Sequence, residues 1–171
     1  MTAGVAKFKH VREDRFRYHW IILSLLMICA SVDEAASIHE ISVEPIRQLL
    51  GASGTGSLYF AWVVPGIAFV AAAGILFARF LIHLPSAIRN QMLLAAGIFL
   101  AGAIGVEMLG AEHFELWGRQ NQTFSLYCAA EESLELLGVL VYIRAVLAYL
   151  QQSRLELTVN FADSQRLSRA A

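Results

Sequence analysis

Long apolar stretches set the pattern of this chain. Three of them, 57–82 ("SLYFAWVVPGIAFVAAAGILFARFLI"), 92–111 ("MLLAAGIFLAGAIGVEMLGA") and 124–150 ("FSLYCAAEESLELLGVLVYIRAVLAYL"), reach the roughly 20 residues that an α-helix needs to cross a bilayer. A fourth, Trp20 to Ala30, is about half that length. It passes straight into "SVDEAASIHE", Ser31 to Glu40, with no Gly or Pro to end a helix. Spanning length is recovered only if the helix continues through the acids. The pattern therefore predicts a first span over about 18–41, with Asp33, Glu34 and His39 inside it.

Composition supports a membrane reading. The 171 residues are 57% hydrophobic and 16% charged, against about half and about a quarter in a soluble domain. A net charge of -1 gives no nucleic-acid surface. Ile28-Cys29-Ala30 is a poor cleavage site for a leader peptide, so the first run is read as a retained helix. Cys29 and Cys128 lie far apart without a CxxC motif, which argues against thiol redox chemistry and suggests two small buried hydrophobes. "LLGASGTGSL", 49–58, lacks the Lys-Ser/Thr ending of a phosphate loop and reads as a connection.

Basic residues favour the cytoplasmic side. Lys7, Lys9, Arg12, Arg15 and Arg17 precede the first span, Arg79 and Arg89 flank the second connection, and Arg144, Arg154, Arg166 and Arg169 lie at the C-terminal end. The first and third connections carry only Arg47 and Arg119. This alternation predicts an all-α integral membrane protein, a four-helix up-down bundle with both termini inside. Its spans fall at about 18–41, 57–82, 91–111 and 124–150, between a basic tail (1–17) and a polar tail (151–171), both cytoplasmic. Gly97, Gly102, Gly105 and Gly110 make the third span small-faced and suited to close packing, and Pro65 is a candidate kink in the second.

The acids carry the candidate chemistry. Asp33, Glu34, Glu107, Glu131, Glu132 and Glu135 all fall within predicted spans, in the outer half of each. Such groups are costly in hydrocarbon and point to function. No Lys lies in these spans and Arg144 is near the opposite end, so protons, cations or water must compensate. The sharpest hypothesis is a metal site held by Asp33, Glu34, His39, Glu107, Glu131 and Glu135, serving oxidoreductase or hydrolase chemistry. Carboxylates and histidine in a helix bundle suit a pair of iron or manganese ions, and zinc less well. The paired Glu-x-x-His motif is missing, and an ideal helix turns His39 away from Asp33.

Two alternatives stand beside it. One is a small proton- or cation-coupled transporter, in which Tyr59, Trp62, Tyr127 and Tyr142 face a lipophilic cation. The other is a non-catalytic subunit or scaffold whose partners are the bilayer and a second copy or another membrane protein. His10, His19 and His83 read as inner-surface residues.

The pattern Ser-x-Asp-Glu then His-Glu (Ser31, Asp33, Glu34, His39, Glu40), an acid after glycines (Glu107), and Glu-Glu-x-x-Glu with Leu-Gly (Glu131, Glu132, Glu135, Gly138) resembles an uncharacterised family of small bacterial four-helix membrane proteins. The resemblance implies a multi-pass protein of the bacterial inner membrane and brings no established activity.

Overall fold

The computed structural model describes residues 15–51 and 55–170, with side chains described as far as Ser153 except that of Leu50. Most of the basic tail, residues 52–54 and the side chains of the polar tail lie outside that description. The described residues form helices and turns, with no strand among them. Helix α1 is Arg17–Ala36, α2 is Ile38–Leu50 and α3 is Val63–His83. Helix α4, Ser86–Leu100, widens into a π-helical segment, Ala101–Val106, and continues as α5, Glu107–Trp117. Helix α6 is Gln122–Ala170. Four stretches are long and apolar enough to cross a membrane: Arg17–Ala36, Val63–His83, Ser86–Trp117 and Gln122–Ser153.

The continuous helix expected over 18–41 does not form. It breaks at Ser37, which adopts left-handed backbone angles (φ 47°, ψ 43°). Such a conformation costs a non-glycine residue roughly 1–2 kcal/mol. Asp33 offsets that cost from both sides. Its carbonyl accepts the Ser37 N–H, and its carboxylate accepts the His39 N–H at 2.9 Å, which caps the first turn of α2. The break needs neither Gly nor Pro, so sequence punctuation could not reveal it.

Helix α3 also starts later than the apolar run 57–82. A short 3₁₀ turn, Gly56–Leu58, precedes it, and Gly56 has a positive φ of 61°. The Glu115 carboxylate accepts the Gly56 N–H and ties this turn to α5. At the far hairpin Gly118 (φ 71°) ends α5, and the Asn121 side chain accepts the Phe124 N–H at 2.8 Å to cap α6.

A hydrophobic core gathers at one end of the molecule. It joins Phe16 and Trp20 at the start of α1, Phe77 and Phe80 at the end of α3, Ile88 and Met92 early in α4, and Val146 and Tyr149 in α6. Trp20 is fully buried, with its ring 5.0 Å from those of both Phe80 and Tyr149. His19 stacks on Phe80 in the same cluster.

Close packing is concentrated where α4 and the π segment meet α6. A methyl group built on Gly138 would lie 2.8 Å from Phe99 N and 2.9 Å from Ala95 O, and one on Gly102 would lie 2.8 Å from Glu131 O. Gly74, Gly97 and Gly105 face open space, so the small-residue pattern overstated how much of it is contact. Cys128 is half-buried but Cys29 is exposed, contrary to its reading as a buried hydrophobe, and neither forms a disulfide.

Candidate functional site

The break at Ser37 assembles the first part of the site. In a straight helix His39 would point well away from Asp33. With the chain turned at Ser37, His39 Nδ1 comes to 2.8 Å from Asp33 Oδ2, while Oδ1 holds the His39 backbone N–H. With Nδ1 in this pair, Nε2 is the ring nitrogen turned away from Asp33.

His39 stands against Trp62, the residue just before α3, with ring centroids 5.1 Å apart. The Trp62 indole in turn donates from Nε1 to Glu107 Oε1 at 3.0 Å. A fixed path of side chains therefore runs from the end of α1 through the start of α3 to α5. Gly66 makes room for it. A methyl group there would lie 2.9 Å from the indole.

Glu107 is the buried acid of the site, with 7% of its surface exposed. The π segment sets its direction. Its backbone N–H bonds to Gly102 O, five residues back instead of four. This wider turn puts Glu107 over Gly102, and Gly102 lies against the Glu131 backbone of α6. The Glu131 carboxyl is within hydrogen-bonding reach of Glu107, and both Glu34 and Glu135 are close enough to act on it electrostatically. Glu135 also feels Glu34, Glu107 and His39. Among the described residues no ion pair joins Glu107, Glu131 or Glu135 to a basic side chain.

Five of the six predicted site residues thus form one neighbourhood: Glu34, His39, Glu107, Glu131 and Glu135. Asp33 stands at its edge, holding His39. Glu132 and Glu40 are exposed beside it. Among the described residues no three His, Cys, Asp or Glu side chains converge so as to hold a metal ion. The expected iron or manganese pair therefore has no preformed ligand set. The carboxylates are strung along three helices. The sequence offers Trp62 only as an aromatic surface for a lipophilic cation. Its role as the donor to Glu107 depends on tertiary placement, and only Gly66 one turn later hinted at a fixed indole.

The neighbouring loops are polar. His113 Nε2 lies 2.8 Å from Asn121 Oδ1, and Ser57 donates to Glu112 at 3.3 Å. Arg47 pairs with Glu44 and stands 4.4 Å over the Tyr59 ring. These contacts fasten the connections beside the site without adding a further acid to it.

Residues 1–150 match the family model described as a domain of unknown function (DUF8692). No curated protein and no solved structure matches the chain.

Proposed function

The chain belongs to the DUF8692 family, and we propose that it exchanges protons for a small lipophilic cation within a membrane, using Glu107 and Glu131 as the exchanging pair. One observation carries this reading. Glu107 is 7% exposed and in hydrogen-bonding reach of Glu131, the neutral Trp62 indole donates to it, and among the described residues no basic side chain pairs with it. A hydrogen bond between two carboxyls needs a proton on one of them. A monocation that enters the pair replaces that proton one for one, and the charge of the site is unchanged. Tyr127, packed beside Gly110 one turn from Glu107, offers an aromatic ring to an organic cation. A divalent metal pair is not part of the proposal, because the acids do not converge on one point.

The proposal includes an up-down bundle in the bacterial inner membrane with both termini in the cytoplasm. Two features support it. The hydrophobic core joins the start of α1 to the end of α3, while the polar site joins the end of α1 to the start of α3. The basic residues also cluster on alternate connections.

The test is transport in liposomes containing purified protein and a trapped pH dye. A pH gradient should drive tetraphenylphosphonium movement with opposite proton flux, and Glu107→Gln should abolish both. Wild-type vesicles that match empty ones in both readouts would sink the reading.

A further inference from the structure

Helix α2 has three distinct flanks. At about 100° per residue, Ile38, Ile41, Pro45 and Leu49 fall within one arc about 80° wide. The three large apolar residues of that arc are 49%, 71% and 86% exposed. A second flank carries Glu40, Glu44 and Arg47, with Arg47 paired to Glu44. The third faces the molecule, where His39, Ser42, Val43 and Ile46 are half-buried and His39 meets Trp62. The apolar arc and the charged flank are centred about 130° apart around the helix.

Helix α1 fixes where this happens. Its 20 residues rise about 30 Å, the thickness of the hydrocarbon core, and end at Ala36. Its outer surface is apolar, with Ile28 and Val32 60% and 51% exposed, as are Ile38 and Ile41 just beyond the break. The turn at Ser37 then starts α2 at the level where hydrocarbon gives way to headgroups. An unbroken helix would instead carry Glu40 and Glu44 on along the axis of α1.

We propose that α2 is an interfacial helix that lies in the bilayer surface, with Ile38, Ile41, Pro45 and Leu49 seated among the upper acyl chains of zwitterionic lipid and Glu40 and Glu44 in water. Most helices of this kind carry a basic polar face that draws them to anionic lipid. Here the polar flank is acidic, so burial of the apolar arc supplies the attachment, and neither salt nor anionic lipid strengthens it. The lipid surface would thereby hold His39 in place over Trp62. This inference rests on membrane insertion of α1 and not on the exchange chemistry.

Fluorophore depth measurements test it on the full chain. Ile41→Cys, Leu49→Cys and Glu40→Cys, each in a Cys29→Ser/Cys128→Ser background, are labelled with an environment-sensitive dye in phosphatidylcholine vesicles. The 41 and 49 labels should emit to the blue and be quenched by bromines near the top of the acyl chains. The 40 label should be quenched by aqueous iodide instead. Leu49 lies eight residues beyond Ile41, near the C-terminal end of α2, so it gives the same readout even if a change at Ile41 disturbs the fold. Labels at 41 and 49 that respond to iodide like the one at 40 would overturn the proposal. So would labels shielded from both quenchers together with a disulfide between two Ile41→Cys chains, since a second copy would then cover this face. A proton-exchange assay that fails while the depth pattern holds would sink the proposed function alone.

Discussion

The Trp62 indole is the smallest part on which the site depends. It is the donor given to the buried Glu107 carboxyl at 3.0 Å, and it is also the surface against which His39 rests. Removing a donor from a buried polar partner costs about 1–3 kcal/mol. Trp62→Phe keeps the aromatic face and deletes only the N–H. We expect thermal unfolding in detergent to show that loss, with Trp62→Phe falling clearly below wild type. A midpoint equal to wild type would mean that water supplies the missing donor. The candidate residues themselves were legible in the sequence, because acids without basic partners are conspicuous in apolar helices. Their partners were not. Asp33 and His39 were assigned incompatible directions on an assumed straight helix, and the break at Ser37 makes them a hydrogen-bonded pair. Punctuation by Gly and Pro misses a break stabilised by a side chain four residues upstream.

At the scale of elements, two glycines separate contact from mere composition. Gly138 lies where a methyl group would press on Phe99 N and Ala95 O, both fixed backbone atoms, whereas Gly74 has open space around it. Overpacking of this kind costs about 1–3 kcal/mol. Alanine at position 74 instead removes a helix-weakening glycine, worth roughly 0.5–1 kcal/mol. Gly138→Ala should therefore lower the unfolding midpoint and Gly74→Ala should hold or raise it. The reverse order would mean that α6 does not approach α4 this closely. Hydropathy located all four long helices because a spanning segment must be apolar over a fixed length. It misplaced the start of α3, since Tyr59 and Phe60 are apolar enough to extend the run but sit in the turn tied to Glu115.

For the whole molecule the question is how the helices are threaded through the membrane. The two ends of the bundle differ in chemistry: aromatic residues around Trp20 and Tyr149 at one, carboxyls and histidine around Glu107 at the other. If both termini face the cytoplasm, the acid-rich end faces outward. In intact cells a membrane-impermeant maleimide should then label a cysteine placed at Arg119, in the α5–α6 hairpin, and spare one placed at Ser86, in the Cys29→Ser/Cys128→Ser background. Labelling at Ser86 and not at Arg119 would invert the assignment and put the exchange site on the inner face. Charge alternation alone suggested this orientation.

The stretch Ala101–Val106 also changes how the third span has to be counted. Because Glu107 bonds back to Gly102, the span holds one residue more than regular winding between the same two ends would use. Residues before and after it belong to different reading frames of one helix. Losing one residue there would restore regular winding between the same two ends, whereas losing one from the regular turns of α5 before Gly110 would swing Gly110 and Ala111 together by roughly 100° relative to Ala95 and the rest of α4. The length of this span is thus as much a determinant of the site as the glutamate it carries.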